Sequence, residues 1–198
     1  MSATRASAPC LKKRCPSVRF AGWGLWLLGV FGIGGVVLGE GLPQEYEVKA
    51  QCLYHFAKYV EWPSNEFSAS NAPITICVIG DGRFAEMLTG VVAGKTIDGH
   101  PVAVQSIERE DESRKCQILF VSYTENKRLD RILGAINASP VLTVGEGNAF
   151  AQGGGIISFV IRNQKVRFDI DLDAANQAGL KISSRLLSLA DTVHEKPK

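Results

Sequence analysis

The chain has 198 residues, with 22 Lys+Arg against 20 Asp+Glu and a formal net charge of +2. The positive balance is confined to the start: residues 1–39 hold five basic side chains and no acidic one, so the remainder has 17 basic against 20 acidic, a net charge of −3. A mildly acidic body lacks the electrostatic footprint of a nucleic-acid binder, and about 158 residues suit one domain with its own core rather than two.

Arg5, Lys12, Lys13, Arg14 and Arg19 precede an uncharged run from Phe20 to Gly39. A basic region followed by an apolar one is the layout of an export signal. Gly39, with Val37 two positions before it, is an acceptable cleavage edge, and Gly41 is a second. A run of 20 such residues is also long enough to span a bilayer as an uncleaved anchor. Seven of the 20 are glycine, which lowers the apolar drive and favours cleavage. In either case the basic end stays in the cytoplasm and the rest crosses. The expected organisation is a signal peptide or signal anchor over residues 1–40 and a single domain over 41–198, working outside the cytoplasm.

Residues 46–60 place Val48, Cys52, Phe56 and Tyr59 at helical spacing, and Trp62-Pro63 ends that helix. Ile74–Ile79 is a continuous apolar run, hence a buried strand. Gly80-Asp81-Gly82 turns the chain into a short helix over Phe84–Thr89. Strands are expected at Val102–Ile107, Ile118–Val121 and Val141–Val144, with a long helix over Glu125–Asn137 between the last two. Ile156–Ile161 and Val166–Leu172, joined by Asn163-Gln164, read as a β-hairpin. A short helix ended by Gly179 and a last one capped by Ser183 or Ser184 complete the chain. The predicted fold class is α/β: a single compact domain with a mostly parallel sheet flanked by helices and a C-terminal antiparallel β-hairpin.

Five cysteines occur, and Cys10 and Cys15 fall in the targeting segment. Cys52 sits among apolar helix neighbours and reads as a small core residue. Cys77 and Cys116 lie in or beside strand-like runs, and outside the cytoplasm a disulfide between them is expected; two unpaired core thiols are the alternative. Closing a loop of about 40 residues stabilises by roughly 4 kcal/mol in the chain-entropy account.

The chain offers no catalytic constellation. GDGRFA (80–85) follows a strand and opens a helix, as a dinucleotide-binding turn does, but its third small residue is alanine, and a tight strand-to-helix turn is the favoured reading. Gly153-Gly154-Gly155 lacks the Lys-Ser/Thr ending of a phosphate loop and reads as a turn into the hairpin. Gly80, Asp81, Gly82, Gly153 and Gly154 are kept as a candidate ligand loop. His55, His100 and His194 are too scattered for a metal site, and no cofactor is expected. Asp169 and Asp171 read as the solvated side of the hairpin. Tyr54, Tyr59 and Trp62 are either core or part of a partner surface, since aromatics are enriched at such surfaces.

VKAQCLYHFAKYVEWP (48–63), ITICVIGDGRF (74–84), KCQILFVS (115–122) and the tail from Ala149 to Ala190, with its triple glycine and its LKISSRLLSLA ending, together resemble the YfiR family of exported bacterial proteins. The resemblance covers nearly all of 45–192. It implies a periplasmic, non-enzymatic regulator that restrains a membrane-bound diguanylate cyclase by contacting that enzyme's periplasmic sensor region. A peptidoglycan-associated outer-membrane lipoprotein is implied as a second partner that sequesters it, with cyclic-di-GMP output and biofilm formation rising in consequence. It also implies a disulfide between the cysteines matching Cys77 and Cys116. Self-association into a homodimer is left open. The alternative function is a periplasmic small-ligand binding module feeding a membrane receptor or sensor, with an enzyme ranked far below.

Overall fold

The computed structural model describes residues 41–63, 66–67, 69, 71–137 and 139–195. The expected targeting segment over residues 1–40, with Cys10 and Cys15, lies outside the described residues. The first described element, α1 (Gly41–Lys58), is an amphipathic helix. Its buried stripe is Ala50, Leu53, Phe56 and Ala57, spaced by threes and fours. This stripe is rotated from the expected one: Val48 is 40% exposed, and Cys52 is a half-buried free thiol. Burial pushes that thiol's pKa up. The helix stops at Lys58, because Val60–Glu61 leaves it as a short strand, β1, pairing antiparallel with β9 (Lys181–Ile182).

The sheet elements follow as β2 (Ile74–Ile79), α2 (Gly82–Val92), β3 (Thr96–Ile97), β4 (His100–Ile107), β5 (Ile118–Val121), α3 (Leu129–Ala135), β6 (Leu142–Glu146), α4 (Gly147–Gln152), β7 (Ile157–Arg162) and β8 (Lys165–Asp171). After β8 come α5 (Leu172–Gln177), β9, α6 (Ser184–Leu187) and β10 (Thr192–His194). Eight strands form one sheet in the order β10-β8-β7-β6-β5-β2-β4-β3. The central run β4-β2-β5-β6-β7 is parallel, β3 pairs antiparallel with β4 and β8 antiparallel with β7, and β10 lies parallel to β8. The predicted class, a mostly parallel α/β sheet with an antiparallel C-terminal hairpin, is the observed one. No helix among the described residues is long and apolar enough to cross a membrane.

The continuous apolar runs arise because both faces of the central strands are covered. Along β2, Ile76 and Val78 face a core shared with α1, α2, α5 and α6, whereas Cys77 and Ile79 face a second core with Ile132 of α3 and Phe150 of α4. Phe56 of α1 stacks on Phe159 at 5.7 Å and meets Phe168 edge-on at 4.9 Å, which fastens the hairpin to the first core. The hairpin turn is Asn163-Gln164, both at positive φ (52° and 60°), the two-residue geometry that matches strand twist.

Three expectations are corrected. The long helix over 125–137 is a 3-10 turn, Tyr123–Arg128, followed by the shorter α3. The segment from Gly147 to Gln152, passed over in the sequence, is α4. Asp169 and Asp171 are not a solvated face: Asp169 is buried and takes two 3.1 Å hydrogen bonds from Arg162, and Asp171 caps α5 by accepting from the Ala174 amide at 2.8 Å. The cause is β10, which pairs parallel with β8 over Thr192–His194 and turns an expected edge strand into an inner one.

Cys77 and Cys116 form a disulfide with Cα atoms 5.9 Å apart, both residues fully buried in the second core. The bond links β2 to the entrance of β5 across 39 residues of sequence. Replacing both cysteines with alanine should lower unfolding stability by about 4 kcal/mol in urea titrations, with the native fold retained. A loss below about 1 kcal/mol would mean that the loop is already constrained without the bond.

Candidate functional site

In an open α/β sheet, ligands and partners find the crevice outside the carboxyl ends of the strands, where strand order reverses. Here β2 leads to β4 on one side, and the chain then returns to lay β5 on the other, so the reversal lies between β2 and β5. The loops at that edge are Gly80-Asp81, Ser122–Thr124 and Glu146-Gly147.

The first loop is built for closeness. Gly80 has φ +90°, and a Cβ there would lie 2.5 Å from Glu125 Cγ and 2.7 Å from Thr124 Oγ1. The Thr124 hydroxyl donates to the Gly80 carbonyl at 3.0 Å, joining the two loops. Asp81 caps α2: its Oδ1 accepts from the Phe84 amide at 3.0 Å, and its Oδ2 accepts from the Tyr46 hydroxyl at 2.5 Å. The chain's own carboxylate thus occupies the helix N-terminus where a pyrophosphate would sit, which supports the tight-turn reading of GDG. The hydrogen bond to Asp81, reinforced by burial and by the charge of Asp81, pushes the Tyr46 phenol up to about 12.

One turn along α1, Lys49 is only 5% exposed and pairs with both Glu45 and Glu146. Burial alone would lower its pKa, but the hydrogen bonds to Glu146 and Glu45 outweigh that and hold the ammonium above its ordinary value. The second oxygen of Glu146 accepts from the Tyr123 amide at 2.9 Å. Glu146 therefore joins α1, the end of β6 and the loop after β5. Beside this junction opens a cleft of about 620 Å³, lined by Lys49, Glu146, Phe159 and Val160 and rimmed by Tyr123 and Ile161. Tyr123 is 67% and Ile161 55% exposed, large apolar groups left in solvent at one cleft.

The residues singled out in the sequence do not converge on this cleft. Gly153 and Gly154 precede β7 at the amino-terminal side of the sheet, whereas Gly80–Gly82 follow β2 at the carboxyl side, so the candidate ligand loop is not one loop in space. Gly155 is there for packing, since a Cβ would run into the Phe150 ring. Tyr54, Tyr59 and Trp62 are all half-buried against the first core, each with its own neighbour. Lys95 lies 4.4 Å above the Tyr54 ring, Arg185 lies 5.4 Å from that of Tyr59, and the Trp62 indole donates to the Gln117 carbonyl at 3.3 Å. Trp62 also lines a small pocket of about 230 Å³ with Phe67 and His100, at the amino-terminal side of β5 and away from the cleft. Among the described residues no group of three or more His, Cys, Asp or Glu is placed to hold a metal ion. Lys49, Glu146, Tyr123 and Ile161 escaped the sequence reading, although Glu146 and Tyr123 sit at or just past apolar strand runs, a position that marks this edge.

Lys49→Ala leaves two carboxylates facing each other without their cation and should cost about 3 kcal/mol of stability, measured by denaturant unfolding. Tyr46 carries a pH signature of its own. Its folded pKa lies above the unfolded value, so its contribution is fully present below pH 10 and is lost as pH rises from 10 to about 12. The wild-type protein should lose stability through that window more steeply than Tyr46→Phe; identical slopes would remove the hydrogen bond from the account.

The YfiR/HmsC-like family model matches residues 46–191, which takes in Tyr46, Lys49, the disulfide, the cleft and the hairpin. No curated protein matches. Among solved structures, a conserved domain protein from Vibrio cholerae O1 biovar El Tor has a TM-score of 0.54 at 12% identity, covering 75% of this chain and 60% of that one. An ABC domain in complex with L-Trp from Streptococcus pneumoniae has a TM-score of 0.50 at 12% identity, covering 76% and 60%. These likenesses show the fold alone, and the chain spans about 60% of the length of each. With a family match that runs from the first turns of α1 to the approach of β10, the chain belongs to the YfiR/HmsC-like family.

Proposed function

We propose that this chain restrains a membrane-bound diguanylate cyclase by docking onto the enzyme's periplasmic sensor region, without turnover of its own. Membership of the YfiR/HmsC-like family ties it to the regulation of diguanylate cyclase signalling, and that match over 146 of 198 residues is the observation that carries the reading. The site chemistry fits a contact surface. The charged groups at the strand ends already have partners, Lys49 in Glu45 and Glu146, Asp81 in the Tyr46 hydroxyl and the Phe84 amide. What they leave facing outward is Tyr123 and Ile161, an aromatic and a branched aliphatic group of the kind that anchors protein interfaces. The Cys77–Cys116 disulfide suits an oxidising compartment, in keeping with the export signal read over residues 1–40. A peptidoglycan-associated lipoprotein that removes the regulator from the cyclase is the second partner of this scheme.

Deleting the gene should raise cellular cyclic-di-GMP and biofilm formation, and restoring the wild-type chain should lower both. A Tyr123→Ala/Ile161→Ser double variant, exported to the same level, should fail to restore them. Unchanged cyclic-di-GMP on deletion would overturn the reading; full restoration by the double variant would move the contact elsewhere.

A second reading, a small-ligand module, has one observation in its favour: the Streptococcus pneumoniae neighbour of the same fold holds L-Trp. The cleft of about 620 Å³ is large enough for an amino acid. A thermal shift with L-Trp that disappears in Arg162→Ala, whose side chain lines the cleft, would support this reading; no shift with any free amino acid would dismiss it.

A further inference from the structure

The small pocket beside Trp62 is built differently from the cleft. Its floor is apolar, with Val60, Ile74 and Ile97 all buried. Its walls are rings. Trp62 and Phe67 stand at 75° to each other with centroids 6.4 Å apart, so they make a corner, and the His100 ring lies beside Phe67 at 4.4 Å. Hydrogen bonds at the ring edges hold two of the three in place. The Trp62 indole donates to the Gln117 carbonyl at 3.3 Å, and His100 Nδ1 donates to the Ala72 carbonyl at 2.6 Å, since a carbonyl can only accept. Gln117 is itself fixed: its side chain accepts from the Thr75 amide at 2.9 Å and donates to the Glu66 carboxylate at 3.1 Å. The rings are thus set before any ligand arrives.

We infer that this pocket binds a small organic cation, an alkylammonium or trimethylammonium group, against the Trp62 and Phe67 rings. The charged side chains that line it are two carboxylates, Glu61 and Asp98, both exposed. Among the described residues neither is in an ion pair, and no lysine or arginine lines the pocket. Lys181 stands opposite Glu61 in the β1–β9 ladder without pairing with it, and Lys95, close to Asp98 in sequence, lies over Tyr54 instead. The neighbouring aromatics already carry cations, Tyr54 under Lys58 and Lys95 and Tyr59 under Arg185, whereas no described cation sits over Trp62 or Phe67. An anion would meet two negative charges here, and a neutral apolar group would leave both unanswered. A weakly hydrated cation is held by the ring faces, most strongly by tryptophan, and by the carboxylates together. At about 230 Å³ the pocket lies below the roughly 300 Å³ at which drug-sized ligands begin, which restricts the occupant to a head group with a short tail. The site shares no residue with the cleft assigned to partner docking, so it stands or falls independently of that function.

Choline chloride titrated into the full chain at constant ionic strength should show saturable one-site binding by calorimetry. The neutral alcohol in which a carbon replaces the choline nitrogen has the same shape and should bind about tenfold more weakly or worse. A Glu61→Gln/Asp98→Asn double variant should lose roughly tenfold in choline affinity. Both positions are exposed, and asparagine accepts the positive φ of 52° at residue 98, so the unfolding midpoint should stay where it is. Phe67→Leu, which removes a ring from the loop before β2 but keeps apolar bulk, should weaken binding roughly fivefold. No saturable binding of choline, equal affinity for the neutral alcohol, or unchanged choline affinity in the double variant or in Phe67→Leu would overturn the site.

Discussion

Lys49 is the cation on which the carboxyl edge of this molecule depends. It is almost wholly buried and cannot be left unpaired there, because an isolated ammonium in such a setting carries a large desolvation penalty. The penalty is met by Glu45 on its own helix and by Glu146 at the end of β6. Glu146 in turn holds the Tyr123 amide. One turn earlier on α1, Tyr46 reaches Asp81. These two polar pins, standing at the end of the Ala50–Leu53–Phe56–Ala57 stripe, set α1 over the sheet in one register and at one height. The cleft exists in its observed shape because α1 cannot slide.

A second constraint acts from the opposite face. The disulfide fixes β2 to the approach of β5, the two strands between which the chain reverses direction across the sheet. Apolar burial on both faces supplies the bulk of the stability but is not directional. The covalent bond and the Lys49 junction supply position. Between them they hold the Gly80, Thr124 and Glu146 loops close enough that a methyl group at Gly80 has no room. A rigid platform of this kind leaves little ordering entropy to be lost on docking, which is what the proposed function asks of it.

Much of the framework was legible in the sequence, and the reasons are local. Strands β2 and β5 announce themselves as apolar runs because both of their faces are buried. The hairpin is readable from two alternating segments around Asn163-Gln164, a pair that accepts the positive φ of a two-residue turn. Cys77 and Cys116 stand in or beside strand-like runs while Cys52 stands among helix neighbours, so a bond between the first two could be expected, with two free thiols as the alternative. The misses share a different cause. GNAFAQ is too short to show a helical period, and α4 is held by Phe150 packing beside Gly145 and Gly155. β10 is three residues long and becomes a strand only because β8 offers it a ladder. The burial of Asp169 follows from that same ladder, so no inspection of the hairpin alone reaches it.

By itself, then, the sequence determined the α/β class, the order of the main elements and the turn chemistry at Asp81 and Asn163-Gln164, since each rests on neighbours within a few residues, whereas the Cys77–Cys116 bond was one of two readings until the fold brought the Cα atoms to 5.9 Å. Tertiary structure decided which polar groups matter. Glu146 lies 97 residues from Lys49 and Asp81 lies 35 from Tyr46, and no periodicity links positions so far apart. The three aromatics Tyr54, Tyr59 and Trp62 look like one surface in sequence, but α1 and the turn after it send them to different neighbours. Tyr123 and Ile161 look like ordinary interior residues until the fold leaves them in solvent at the mouth of one cleft. The physical reason is the same in each case: burial and pairing are properties of the assembled sheet, and a side chain's role is fixed only when the strands on either side of it are in place.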